Sequence, residues 1–303
     1  MPVRHSAFNN RISRVMKNLT VLLLFICLVM AGSGSTFAAA DTTVVPPGSR
    51  AFDLMPTILP WTGTSNPAAL SRTGFGNISL AQAGFSAADD DISMVQQPGQ
   101  STSYHAVTKG YMQLKRVSLF GSFGYSNSGY KGVNYNGTMM FDTYNPYLVG
   151  DSVSARQSRE QFAMEGKLSY LLNDRISLAV GAEYLSAVGA KQKDPRNKNT
   201  ISSLRVTPGI TYDLGRTKLG VSASVYTTSN EMSYKVEGNW NQNIFVFLGL
   251  GYFRQEINIS SYSQWYVGNG YAAALQASRE GDDIYMIAEL GYDHYMEEAR
   301  SGS

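Results

Sequence analysis

Cysteine, histidine and long apolar runs are what this chain of 303 residues is short of, and each shortage removes a class of function. The one cysteine, Cys27, lies in an apolar stretch close to the N-terminus. Ile26 before it is not the small residue of a lipoprotein signal, so lipidation is not expected. Without other cysteines there is no disulfide framework, thiolate metal site or cysteine nucleophile. Histidine occurs three times, and His105 and His294 are far apart with no ligand spacing around them, so no metal is expected. No Gly-x-Ser-x-Gly elbow accompanies them, and a hydrolase would have to draw its base from one of these two. No phosphate loop or dinucleotide fingerprint occurs. Gly249-Leu250-Gly251 is too short for one and is read as part of a strand, so no cofactor is expected. Charge of one sign is also missing. With 25 Lys+Arg against 23 Asp+Glu, the chain has no field to attract nucleic acid.

The longest apolar run, Leu19 to Met30, is shorter than the ~20 residues a spanning helix needs. Arg4, Arg11, Arg14 and Lys17 precede it, and Ala38-Ala39-Ala40 follows, so residues 1–40 read as a signal peptide cleaved before Asp41. Residues 41–76 are broken by Pro46, Pro47, Pro56, Pro60 and Pro67 yet carry Phe52, Leu54, Ile58 and Trp61. This segment is either a hatch folded into a barrel mouth or a leader packed on its rim. Asn66-Pro67 initiates a turn, with a helical turn possible over Ala68 to Arg72.

What the chain has in quantity is glycine (29), tyrosine (19) and strict alternation. Phe162, Met164, Gly166, Leu168 and Tyr170 alternate with polar neighbours. After Asn173-Asp174 the pattern resumes at Ile176, Leu178, Val180, Ala182 and Tyr184, and again at Leu204, Val206, Pro208, Ile210 and Tyr212. Period two over such lengths predicts strands with one apolar and one polar face. Pro208 within its strand predicts a bulge. Further strands are expected at 77–87, 103–114 and 117–126, then from Leu219, at 244–257 and from Ile284. That is about ten strands of roughly ten residues each. Residues 127–159, 187–203 and 262–281 read as long loops. Asp89-Asp90-Asp91 reads as part of a solvated loop, since it lacks the ligand spacing of a calcium site.

A cleaved signal leaves the N-terminus periplasmic, so the short turns at Lys115-Arg116, Asn173-Asp174 and Gly215-Arg216 fall on the periplasmic side and the long loops outside. Tyr170 and Tyr212 lie near one border of the apolar face, Tyr125 and Tyr184 near the other, as two aromatic belts. The fold expected for residues 77–303 is therefore an all-β antiparallel transmembrane barrel in an outer membrane, in contact with lipid and with outer-membrane assembly machinery. Its polar face offers Glu165, Lys167, Glu183, Arg205, Asp213, Lys218, Glu289 and Asp293 as lumen-facing candidates. Mixed signs there either select solutes in a pore or neutralise one another across a filled lumen.

Trp61 with Ser65-Asn66-Pro67-Ala68, Asn145-Pro146-Tyr147 with Asp151, Glu160, and Asp194-Pro195-Arg196-Asn197 together carry a resemblance to an uncharacterised group of outer-membrane β-barrels of Bacteroidota, a domain of unknown function. That resemblance implies longer members, so that this chain is an incomplete part of a larger barrel. The absence of a terminal aromatic strand in Met296 to Ser303 points the same way. No activity comes with it. Asn66-Pro67-Ala68 also resembles the long-chain fatty-acid transporter superfamily, which includes the shuttle barrels of type IX secretion, and implies a hatch and a hydrophobic ligand. The reading is a non-enzymatic channel or transporter. A structural barrel binding partners through loops 127–159, 187–203 and 258–283 is the alternative, and an outer-membrane hydrolase a third. Purified without detergent, the protein is expected to aggregate; a folded monomer under those conditions, seen by light scattering and circular dichroism, would overturn the membrane reading.

Overall fold

The computed structural model describes residues 59–72, 76–90, 93–139, 146–238, 243–282 and 284–302. The signal segment 1–40, the first part of the Pro-rich segment, Asp91, Asn145 and most of the turn expected at 239–243 lie outside the described residues. Strands dominate: β1 (Ile78–Asp89), β2 (Gln100–Leu114), β3 (Val117–Lys131), β4 (Val149–Gly150), β5 (Gln157–Leu171), β6 (Ile176–Lys191), β7 (Arg196–Asp213), β8 (Thr217–Lys235), β9 (Ile244–Gly249), β10 (Tyr252–Glu256), β11 (Ser261–Glu280) and β12 (Tyr285–Gly302). Nine of them form one antiparallel sheet in the order β1-β2-β3-β5-β6-β7-β8-β11-β12, and β10-β9-β4 form a second, small sheet. Among the described residues β1 and β12 do not pair with each other, so the large sheet has two edges.

The register explains why one face is apolar. Antiparallel partners share a face, so Val117, Tyr170, Leu178, Ile210, Val221, Leu275 and Leu290 form a single row across seven strands. Leu168, Leu178, Val180, Ile210, Leu219, Val221 and Leu275 are 41–58% exposed on this face. An apolar patch of this extent is not left in water by a soluble monomer. The opposite face carries the polar partners and curves around the short 3₁₀ helices Pro60–Gly63 and Pro67–Arg72, which touch β3, β5, β6 and β7.

Several expectations are corrected. The expected loop 187–203 is mostly strand: β6 and β7 extend to Lys191 and from Arg196, leaving only 192–195 between them. Burial alternates there, with Asn197, Asn199 and Ile201 inside, but both faces are polar, so hydropathy shows no period. Residues 262–281 are not a loop but lie almost wholly in β11, where Tyr266 faces inward and Trp265 outward. Aromatics on both faces erased the contrast. The loop expected at 127–159 contracts to 132–156, and the tail from Met296 continues β12 to Gly302. The single strand expected at 244–257 is a hairpin outside the large sheet. Its turn is Gly249-Leu250-Gly251, all three at positive φ, not a strand interior. Pro208 makes no bulge: register is unchanged from Val206↔Val225 to Gly209↔Ser222, and the ladder simply omits Thr207 and Pro208. Thr207 Oγ1 and Ser224 Oγ, 2.9 Å apart, bridge the gap.

Short turns join β2–β3, β5–β6, β7–β8 and β11–β12 on one side of the sheet. On the far side the connections 132–156 and 236–260 are long and contain β4, β9 and β10. Residues 146–150 and one face of β9 pack over the end of the sheet, around a core of Val149, Met232, Tyr234, Ile244, Val246, Tyr262 and Tyr266, while the Gly249-Leu250-Gly251 turn and β10 stand exposed. Lys191, within the expected loop 187–203, is 3% exposed, with Nζ 2.5 and 2.6 Å from the Asp151 carboxylate. Burial pushes the Asp151 carboxyl up from its usual range, and Lys191 beside it draws it back. Removing one partner strands the other charge without water. Lys191→Met is expected to cost about 3–5 kcal/mol, and Asp151→Leu combined with it to recover most of that loss. Heat-shift electrophoresis and thermal unfolding in detergent would check this, and equal stability of the single variant would contradict it.

Candidate functional site

Three layers are stacked on the concave face. At the short-turn end sits the segment from Pro60 to Arg72. Proline begins each of its two 3₁₀ helices, where no N–H is needed. Between them Asn66 Oδ1 accepts the Ala68 amide at 2.9 Å, closing an Asx turn. Its amide nitrogen then donates to Ile210 O, Val221 O and Gln276 Oε1 at 3.0–3.1 Å. Trp61 Nε1 donates to Ser278 Oγ at 2.8 Å, and Ser65 Oγ to Glu289 at 2.6 Å. Arg72 reaches the turns, donating to Asp174 O at 2.8 Å and lying 3.5 Å from Asp213. Ala68, Ala69 and Leu70 are buried beneath.

The seat for Asn66 is made of bare backbone. A Cβ at Gly209 would stand 2.2 Å from Asn66 Oδ1, and one at Gly220 2.9 Å from its Nδ2 and 3.0 Å from the Trp61 ring. Glycine inside a strand marks such an approach.

At the other end the connection 132–156 closes over the face. Asn197 and Asn199 both donate to Gly137 O, at 2.5 and 2.7 Å, Arg159 donates to Met139 O at 2.9 Å, and Met139 is fully buried. Tyr266 Oη donates to Tyr147 O at 2.6 Å. Between this segment and the 132–156 connection lies an open-sided chamber of about 600 Å³, lined from β2, β3, β5, β6, β7, β8, β11 and β12.

All the lumen-facing candidates lie on this concave face by register, but they divide. Glu165, Glu183 and Arg205 stand side by side on β5, β6 and β7 and line the chamber. Lys167 is 2.7 Å from Glu165, and Asp293 is 3.9 Å from Arg205 and accepts the Tyr226 hydroxyl. Glu289 instead holds the Pro60–Arg72 segment. Asp213 and Lys218 lie beyond it with Trp61 and Arg72 near the turns. Residues that hydropathy alone did not single out include Tyr226, Tyr295, Asn230 and Lys109. Pairing each strand to its neighbour would have placed them.

The two histidines fall on opposite faces. His105 lies inside against Gly84, while His294 faces out beside Tyr271, with centroids 5.1 Å apart. They therefore cannot serve one hydrolytic site. Among the described residues no group of three or more His, Cys, Asp or Glu could hold a metal ion.

Residues 67–303 match the model of a family described as a family of unknown function, DUF6850. No curated protein matches. Among solved structures, the chain is similar to the toluene transporter TodX of Pseudomonas putida, at 10% identity over 79% of each chain with a TM-score of 0.29. It is similar to the monoaromatic hydrocarbon channel CymD, at 9% identity over 88% of this chain and 93% of that one, with a TM-score of 0.30. It is also similar to the siderophore receptor PiuA of Acinetobacter baumannii, at 10% identity over 74% of this chain and a TM-score of 0.35, and spans 44% of that receptor's length. Scores of this size say nothing about what this chain carries.

Gly209→Val places methyl groups where Asn66 sits and is expected to unseat the Pro60–Arg72 segment. With Ala69→Cys, at a position only 2% exposed, as reporter, labelling by a bulky maleimide should then accelerate. An unchanged rate would show that the seat does not hold the segment.

Proposed function

We propose that this chain, which belongs to the family of unknown function DUF6850, forms the wall of an outer-membrane β-barrel that passes small solutes through a chamber gated at both ends. The observation that carries this reading is the inverted polarity of the sheet. Its convex face presents a continuous apolar row, and its concave face presents charged and hydroxylated side chains around an internal space. In hydrocarbon that arrangement is stable only when every backbone amide is paired, so closure of the β1 and β12 edges belongs to the same proposal. The described parts of the 132–156 connection turn inward as a cap instead of standing out as a binding loop, which favours transport over display of partner sites.

The Pro60–Arg72 segment acts as the hatch. It is held by hydrogen bonds and one ion pair, which water can replace as it leaves, and by the burial of Trp61, Ala68, Ala69 and Leu70, which its exit must reverse. The chain performs no chemistry in this reading. Proteoliposomes containing the full protein should admit small polar solutes, and removal of residues 60–72 should raise the rate of osmotic swelling. Failure of both forms to enter outer membranes in cells, or to permeabilise liposomes after insertion, would overturn the proposal.

A further inference from the structure

One row of the ladder crosses the chamber from β2 to β12. Lys109 lies opposite Ser122, Ser122 opposite Glu165, Glu165 opposite Glu183, Glu183 opposite Arg205, and Arg205 opposite Tyr226. Tyr226 and Tyr295 then flank Gly270 on β11. The rings of Tyr226 and Tyr295 are nearly parallel, at 12°, with centroids 5.9 Å apart. They lie against the backbone of β11: a Cβ at Gly270 would be 2.2 Å from Tyr226 Cζ, and one at Gly268 2.1 Å from Tyr295 Oη. The Arg205 guanidinium covers the Tyr226 ring at 4.0 Å, whereas Tyr295 is 44% exposed and lines the chamber.

The charges on this belt are matched within the wall. Lys167 meets Glu165, Arg205 meets Asp293 and neighbours Glu183, and Glu297 accepts the Tyr295 hydroxyl at 2.8 Å. A belt compensated in this way gives no strong field of one sign to draw an ion. A hydrocarbon would strip water from these carboxylates and the guanidinium and return no hydrogen bonds. A neutral, polyhydroxylated ring satisfies both conditions. Its C–H face lies on an aromatic plane, and its neighbouring hydroxyls bridge bidentate carboxylate and guanidinium groups. Asn230 and Ser203, also lining the chamber, add an amide and a hydroxyl.

We propose that this row is a binding belt for short saccharides, with Tyr295 as the stacking platform and Glu165, Glu183 and Arg205 as hydroxyl partners. The proposal rests on the concave face being a solute path. The test is calorimetric titration of the full protein, in a detergent without a sugar headgroup, with maltose, sucrose, phenylalanine, spermidine and toluene. Saturable binding of a disaccharide that barely changes with added salt is expected. Tyr295→Ala should weaken it about tenfold. Tyr295→Phe, which keeps the ring, should lose no more than about threefold. Binding of spermidine, phenylalanine or toluene with no disaccharide bound, or equal disaccharide binding by Tyr295→Ala and the parent, overturns the belt. A protein that inserts and passes solutes but binds no saccharide sinks only this inference. One that never enters a membrane sinks the barrel reading, and titration in detergent still decides the belt.

Discussion

Backbone pairing is the constraint on which this architecture turns, and the hydrocarbon surroundings of the proposed barrel allow it no exception. A strand in hydrocarbon has no partner for an unpaired amide, so it must be laddered on both sides. Once laddered, its side chains alternate strictly between two faces. A one-residue slip of β5, β6 or β7 would turn Glu165, Glu183 or Arg205 to the apolar face and Leu168, Val180 or Leu204 to the concave one. The long uninterrupted registers, such as Ser261–Arg279 of β11 on Thr217–Lys235 of β8, are the structural expression of that penalty. The β7–β8 ladder tolerates Pro208 by omitting Thr207 and Pro208, which still pair with β6, and without any shift of register.

The same constraint decides what could be read from the chain in advance. Strands with apolar outer faces and polar inner ones, Phe162 to Tyr170 and Ile176 to Tyr184, were legible because hydropathy carries the two-residue period there. So were the tight turns at Lys115-Arg116 and Gly215-Arg216. Where a strand rises beyond the apolar band the outer face becomes polar too, and Arg196 to Ser203 looked like loop although its burial alternates. β11 failed for the opposite reason, with Trp265 and Tyr266 on adjacent positions of opposite faces. The site was half legible. Inward charges followed from parity, but which of them share a row depends on strand pairing, and Tyr226 and Tyr295 of the belt stood outside the alternating runs that hydropathy marks. Asn66-Pro67 was visible as a turn, while its role as an inserted wedge needed Gly209 and Gly220, far along the chain, to be recognised as its seat.

Polar groups inside the wall are handled in two ways. In the cap, Asp151 and Lys191 are removed from water and held by one another, an arrangement that contributes little net stability but penalises every misplacement of the 132–156 connection. Around the chamber, Lys167 with Glu165 and Arg205 with Asp293 stay about one-third to one-half accessible, so their pairing is soft and exchangeable. The end of the sheet is therefore closed rigidly, while the charges on its concave face can adjust.

The contacts of the Asn66 wedge also carry a consequence for how the molecule comes together. Trp61 bonds a residue 217 positions away, and Asn66 bonds partners 144, 155 and 210 positions away. Contacts of such separation are entropically costly until the intervening chain is ordered. Their acceptors on β7, β8 and β11 exist as a surface only after those strands have paired. Although it precedes every strand of the large sheet in the chain, the Pro60–Arg72 segment therefore finds its place only after them.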